Sequence, residues 1–327
     1  PLMQCEVLAM IELHIDSQKL KVKEGETILQ AAKSLGVEIP TLCHYKGKTR
    51  ESACLVCGVW DVKAERYLPA CSTLCMPGME LESSSERVAS FRKNVIELIL
   101  SEHRGDCEGP CKLVCPQQWD IPRFMHLIEK GDGPVSFEFN PSICETCGGK
   151  CEKVCRRGKL DGPVKIRRLL RDYGQKTKEM TKVVKDTLYL HRDPRATAEE
   201  LAPFDVDNEK TACLQCACRA KDDCQLRQVA TELSAKRKAY QTNKKEPLSI
   251  EAAGLLVFEK HKCIKCGRCL RLGDELKPED GPTLAFRGQQ TCILPPLGSD
   301  FEKAFVGCEK EFVKVCPVGA IAWKDRE

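Results

Sequence analysis

The sequence predicts an α+β protein assembled from several small modules, on three observations. Its 327 residues exceed one ordinary domain. Only 6% of them are aromatic while 31% are charged, which leaves material for thin cores. The 23 cysteines crowd into Cys-x2-Cys and Cys-x3-Cys groups, so each module has a group of thiols to fold around. A disulfide scaffold is usually short and follows a secretory leader, whereas the first fifteen residues here have neither a basic start nor an apolar core. The odd count and the crowding point instead to metal-bound thiolates in a reducing compartment, and the cytoplasm is the expected location.

Residues 1–9 read as an extension, and the first module is expected over 10–85. "MIELHID" and "KLKVKEG" alternate apolar with polar about a turn, which predicts a β-hairpin. "ETILQAAKSLGVEIP" has helical periodicity, with Gly36 as its stop and Pro40 beyond. Cys43, Cys54, Cys57 and Cys71 follow as Cys-x10-Cys-x2-Cys-x13-Cys. A long loop, a tight pair and a distant fourth thiol is the plan of plant-type ferredoxins, though their first gap is shorter. The stretches "PTLCHYKG", "SACLVCGVW", "LPACSTLCMPGMELESSSERV" and "ELILSEH" carry a specific resemblance over residues 10 to 103. They resemble the N-terminal [2Fe-2S] domain shared by the large iron-sulfur subunit of NADH:quinone oxidoreductase (complex I), iron-only hydrogenases and the small diaphorase subunit of NAD-linked nickel-iron hydrogenases. That resemblance implies a β-grasp ferredoxin fold with Cys43, Cys54, Cys57 and Cys71 as ligands. Cys75 lies outside the pattern and reads as a buried small hydrophobe. Ser83 and Glu86 are spaced as a capping box for a helix whose expected apolar face is Val88, Phe91, Val95 and Leu98.

A second module is expected over 86–175. His103, Cys107, Cys111 and Cys115 recur at four-residue intervals. On a helix they would span roughly 18 Å, too far for one centre with bonds of about 2.3 Å. Gly105, Gly109 and Pro110 break such a helix, so a looping strip is expected. The pitch returns at Cys147, Cys151 and Cys155, and two matching strips suggest two shared centres. Complex-I relatives bind one [4Fe-4S] cluster through His-x3-Cys-x2-Cys-x5-Cys, a pattern that His103 and Cys107 begin and then leave. "CEGPCKLVCPQQWDIPRFMHLIEKGD" and "CETCGGKCEKVCRRGKLDGPVKIRRLLRD" instead resemble the N-terminal two-cluster domain of the glutamate synthase small subunit. This second resemblance implies a helical domain holding two [4Fe-4S] clusters. Cys107, Cys111 and Cys155 would serve one, with His103 as fourth ligand because the family's first cysteine falls near Arg104. Cys115, Cys147 and Cys151 would serve the other, with Cys144 as fourth ligand because the family's remote ligand falls near Leu170, which cannot coordinate.

Residues 176–208 read as a charged linker with one helix around "MTKVVKDTL". A small module over 209–245 supplies Cys213, Cys216, Cys218 and Cys224, a four-thiol set for a [4Fe-4S] cluster or for zinc. Its "CQLRQVATEL" resembles the end of the complex-I-type pattern, as if that pattern were split or duplicated around the insertion with Cys213 replacing the histidine. The last module, 246–327, offers Cys263, Cys266 and Cys269 as Cys-x2-Cys-x2-Cys and a distant Cys316 followed by proline. This is a bacterial-type [4Fe-4S] pattern with 46 residues inserted before its fourth ligand. Cys292 and Cys308 in that insertion read as structural. Lys262, Lys265, Arg268 and Arg271 read as charge compensation for an anionic cluster.

Catalytic and nucleotide-binding motifs are missing. No G-x-G-x-x-G follows a strand and no G-x4-G-K-[ST] occurs, so no flavin, nucleotide or substrate-converting site is expected in this chain. No apolar run reaches the ~18 residues of a membrane span. Lys and Arg are interspersed with Asp and Glu, against a nucleic-acid patch, although a zinc-rich nucleic-acid-binding protein remains the alternative class. One [2Fe-2S] and four [4Fe-4S] clusters suit a wire, because a staple needs neither two cluster types nor redox activity. The resemblances imply an electron-relay subunit of an NAD(P)H-linked oxidoreductase. Its implied partners are an FMN- and NADH-binding flavoprotein, a small [2Fe-2S] subunit, a terminal nickel-iron hydrogenase and ferredoxin, the inserted domain suiting a bifurcating branch. A formate dehydrogenase or flavin-based transhydrogenase is the other terminus the same relay would serve.

Overall fold

Alternation decides the first strands. In β1 (Met10–Ile15) Ile11, Leu13 and Ile15 point inward, and β2 (Gln18–Lys23) answers with Leu20 and Val22 in antiparallel register, Leu13 opposite Leu20. Asp16 and Ser17 both adopt positive φ, the backbone that a two-residue hairpin turn demands. The computed structural model describes residues 10–45, 52–103, 107–130, 141–159, 162–176, 212–214, 216–220, 223–237, 239–240, 250–277 and 279–324. They fall into two compact units, one formed by residues 1–105 with 219–325, the other by 106–218. The division passes through the module expected over 209–245.

In the first unit, α1 (Ile28–Ser34) starts at a capping box in which Thr27 and Gln30 satisfy each other's backbone N–H groups. It buries Ile28, Ala31 and Ala32 against a five-stranded sheet ordered β2-β1-β5-β3-β4, with β3 Gly58–Asp61, β4 Arg66–Pro69 and β5 Glu80–Glu82. β5 runs parallel to β1 and antiparallel to β3, so one helix crosses a mixed sheet in the β-grasp manner. The following helix, α2 (Glu86–Glu102), corrects two expectations. Its N-cap is Ser85 without a side-chain cap bond. Ser83 is instead tied to Asp16, through its hydroxyl and through its backbone N–H at 2.7 Å. The buried face is Val88, Arg92, Ile96 and Glu97, while Leu98 is exposed. A four-residue step has replaced the three-residue one because two polar groups find backbone partners inside: Arg92 Nε donates to the Gly58 carbonyl at 3.0 Å, and Glu97 Oε1 accepts the Lys236 N–H at 2.9 Å.

The second unit is helical. It contains α3 (Pro110–Val114), α4 (Ile121–Lys130), α5 (Pro141–Thr146), α6 (Lys150–Lys153), a 3-10 turn at Arg156–Lys159 and α7 (Ile166–Lys176). Ile121, Phe124, Met125 and Ile128 form the inner stripe of α4 and meet Val164, Ile166, Leu169 and Leu170. Helices of four to six residues do not hold themselves, so the cysteines on α3, α5 and α6 depend on this packing. Cys107 and Cys115 lie outside helices, as the looping strip requires. Most of the expected linker, including "MTKVVKDTL", lies outside the described residues.

The chain completes the first unit with α8 (Gln225–Glu232), β6 (Glu251–Ala253), β7 (Leu256–Phe258), α9 (Arg268–Leu276), β8 (Thr283–Ala285), β9 (Cys292–Leu294), α10 (Phe301–Phe305), α11 (Glu309–Val315) and β10 (Ile321–Trp323). β10-β7-β6 make one small sheet and β8-β9 another. Phe258, Phe301, Phe305 and Phe312 interlock with ring centroids 4.6, 5.6 and 4.8 Å apart. The same core takes in Leu42, Val56 and Ile96, so the cysteine loops of the β-grasp domain and the C-terminal module share one apolar interior.

Candidate metal centres

The β-grasp loop brings Cys43, Cys54, Cys57 and Cys71 together. The Cys43 sulfur accepts hydrogen bonds from the Cys54 and Cys71 thiols, which holds Cys43 below the usual thiol range and drives the two donors above it. Cys57 is likewise lowered by a hydrogen bond from Cys71. The Ala53 N–H also reaches Cys43 Sγ, at 3.4 Å. Four largely buried thiols cannot all ionise here without cationic charge between them, so the donor set fits an iron-sulfur centre. Cys75 lies in the β-grasp core, pushed up to about 11 by burial and by Glu26.

Cys263, Cys266, Cys269 and Cys316 line one pocket, walled by Phe258, Ile264, Val318 and Ile321. Burial pushes Cys263 up to about 12 and Cys266 up to about 11, and raises Cys269 and Cys316. Backbone N–H groups counter this: Lys265 donates to Cys263 Sγ at 3.4 Å, and Ile321, Val318 and Ala320 act on Cys316. Neither Cys292 nor Cys308 lines the pocket. Lys262 pairs with Glu259 at 2.6 Å, so its charge is already compensated by a carboxylate. Arg271 donates from one nitrogen to the Cys43 carbonyl and to the Cys266 carbonyl, the latter at 3.2 Å, and Tyr45 reaches Glu275 of α9 at 3.0 Å.

In the helical unit, Cys144 and Cys151 both lie near Cys115 and Cys147. Burial pushes Cys144 and Cys151 up to about 12, and each is raised further by Cys147 and Cys115. The turn between Cys147 and Cys151 passes through Gly148 and Gly149, both at φ +68°, and a Cβ at 149 would meet Arg167 Nε at 3.0 Å. Cys111 and Cys155 line a second pocket, and its other cysteines are Cys213 and Cys216. That combination differs from both expected sets containing these residues. Cys107 is exposed, and its carbonyl accepts the Cys218 N–H at 3.3 Å. In the other unit His103 Nδ1 contacts the Lys262 carbonyl at 2.9 Å, and burial holds its imidazole down to about 4. Cys224 caps α8, its sulfur accepting the Arg227 N–H at 3.4 Å. Among the described residues no three His, Cys, Asp or Glu side chains close on a point where a single ion would sit.

Comparison with known proteins bears on the two ends of the chain. Residues 9–86 match a 2Fe-2S iron-sulfur cluster binding domain, and residues 253–322 match the ferredoxin-like domain of NADH-quinone oxidoreductase subunit 3. Both ends are iron-sulfur domains. The NADP-reducing hydrogenase subunit HndD of Solidesulfovibrio fructosivorans is 31% identical over 175 residues, covering 47% of this chain and 30% of that protein. The NADPH-Fe(3+) oxidoreductase subunit alpha of Geobacter sulfurreducens is 38% identical over 158 residues, 44% of this chain and 18% of that one. An NADH-quinone oxidoreductase subunit of Rhizobium meliloti is 35% identical over 109 residues, 32% of this chain and 13% of that one. The chain thus spans 30% or less of the length of these curated relatives. In fold it resembles a chain of an NAD+-reducing [NiFe]-hydrogenase, with a TM-score of 0.56 at 16% identity over 97% of this chain and 88% of the other. Among the described residues no helix is long and apolar enough to cross a membrane.

Proposed function

We propose that this chain is an electron-relay subunit of a multisubunit NAD(P)H-linked oxidoreductase, a nickel-iron hydrogenase complex being the terminus that its resemblance to diaphorase subunits implies. The observation that carries the reading is the Arg271 bridge, one guanidinium hydrogen-bonded to the backbone of a cysteine from each of two four-cysteine sites. A bridge of this kind keeps two redox sites at a fixed separation, as one-electron transfer between them requires. Relatives named as subunits of an NADP-reducing hydrogenase and of NADH-quinone oxidoreductase support the NAD(P)H link.

Cys43, Cys54, Cys57 and Cys71 would hold a [2Fe-2S] cluster, and Cys263, Cys266, Cys269 and Cys316 a [4Fe-4S] cluster. Cys115, Cys144, Cys147 and Cys151 would hold another, within a total of one two-iron and four four-iron centres. When bound, each supplies a one-electron carrier whose potential depends on ligands, nearby charge and solvent access. The chain's own part is to bury the thiols, aim backbone N–H groups at their sulfurs and set Arg271 between two sites. Its partners are an FMN- and NADH-binding flavoprotein, a small [2Fe-2S] subunit, the hydrogenase and ferredoxin, in the cytoplasm.

Metal and sulfide analysis of anaerobically purified chain is the test. The reading expects about 18 iron atoms per chain with matching sulfide, and a brown colour bleached by dithionite. Colourless protein loaded with zinc would overturn it.

A further inference from the structure

We infer that Cys111, Cys155, Cys213 and Cys216 bind one [4Fe-4S] cluster, with Cys213 and Cys216 contributed from beyond the charged segment at 176–208. The inference deepens the relay reading and rests on it. Its ground is a pocket lined by these four cysteines, with about 400 Å³ of unfilled space, part of it open to solvent. The C-terminal pocket is the internal standard, since it also presents four cysteines and its Cys-x2-Cys-x2-Cys and Cys-Pro are a recognised four-iron pattern. Both pockets have apolar walls, here Ile121, Met125, Val164 and Ile166.

The pocket also supplies positive charge. Arg156 and Arg157 stand in its lining, and the Arg156 side chain hydrogen-bonds the Cys216 sulfur. A cluster held by four thiolates carries roughly −2, so a guanidinium at a ligand sulfur is a favourable neighbour. All four cysteines belong to the helical unit, two of them fixed by its short elements: Cys111 on α3, and Cys155 between α6 and the 3-10 turn. Together with Cys115, Cys144, Cys147 and Cys151 they make eight of this unit's ten cysteines, a full complement for two four-iron centres. Along the sequence, His103-x3-Cys107 and Cys218-x5-Cys224 then remain, the outer parts of the complex-I-type pattern with the insertion in its Cys-x2-Cys gap.

Single serine variants of the full chain, purified anaerobically with its partner subunits, test this through iron content and the low-temperature magnetic resonance of the reduced protein. Cys155→Ser and Cys216→Ser should each lose about 4 iron atoms relative to the wild-type assembly and extinguish the same signal, while Cys224→Ser extinguishes a different one. Loss of one shared signal in Cys216→Ser and Cys224→Ser, with another lost in Cys155→Ser, would overturn the assignment. So would one zinc per chain that disappears with Cys213→Ser. Arg156→Gln covers the case in which serine variants fail to fold: it should retain all iron and shift the midpoint of one four-iron signal alone, and an unchanged midpoint in iron-replete protein would contradict the pocket. Wild-type chain without iron and sulfide would instead defeat the relay reading itself.

Discussion

The Arg271 guanidinium donates to the backbone carbonyl of Cys43, and the same nitrogen reaches the Cys266 carbonyl at 3.2 Å. The positive charge therefore stands beside two cysteine sites at once. Reduction adds negative charge to a cluster, so a nearby cation raises its potential. Arg271→Gln should lower the potentials of the [2Fe-2S] centre and the C-terminal [4Fe-4S] centre together, on the order of 59 mV being a tenfold change in a one-electron equilibrium. Potentiometric titration followed by magnetic resonance checks it. A shift in only one of the two would break the claim that the residue serves both.

Glu152 fastens the short helix that carries Cys151. Its Oε1 accepts the Arg167 backbone N–H at 2.8 Å and its Oε2 pairs with Arg167 Nε at 3.1 Å, both side chains being mostly buried. Glu152→Ala should cost about 1.5–3 kcal/mol, the range for hydrogen bonds to charged groups. Iron release to a chelator should then quicken for the helical unit's centres, with the [2Fe-2S] signal unaffected. Equal quickening at every centre would refute a local role.

Gly58 adjoins Cys57 and lies under the Phe91 ring, which stacks on Tyr67 at 4.0 Å. A Cβ there would fall 2.3 Å from Phe91. Gly58→Ala should destabilise the β-grasp domain by roughly 1–3 kcal/mol, and Phe91→Leu in the same chain should restore part of it. Additive losses in the double variant, read from denaturant midpoints, would contradict the contact.

The anchor between Asp16 and Ser83 gives a pH dependence. Burial alone would raise the Asp16 carboxyl, but hydrogen bonds from Ser83 and Ser84 outweigh it and the folded-state value is lowered. A carboxyl depressed on folding adds stability that is present above its unfolded value of about 3.9 and is lost as pH falls through its folded value. Ser83→Ala should therefore reduce stability at neutral pH and flatten its decline on acidification below about pH 4. A parallel offset at all pH values would remove Asp16 from the explanation.

Sequence periodicity carried the local elements well. The alternation of Ile11, Leu13 and Ile15 against Leu20 and Val22 named the hairpin, and the Gly36 stop named the end of α1. The face of α2 was less legible, because polar Arg92 and Glu97 turn inward only where the Gly58 carbonyl and Lys236 N–H meet them, and those partners are remote in sequence. Ser83 fitted a cap by spacing, yet Asp16 claimed it across 67 positions. Cysteine grouping behaved the same way. Cys263 to Cys269 sit close along the chain, and the pocket keeps them together. Cys213 and Cys216 lie near Cys218 and Cys224 in sequence but line the pocket of Cys111 and Cys155, since helix packing, not chain proximity, decides which thiols face one space. The Cys-x2-Cys spacing at 213 and 216 was the available signal, and nothing local named its partner.

Rapid-freeze magnetic resonance of the native assembly mixed with NADH tests the central claim most directly. If this chain carries the current, its two-iron and four-iron signals appear within the first turnover and decay when the terminal acceptor is supplied. Clusters that stay oxidised while product accumulates would show that electrons take another path.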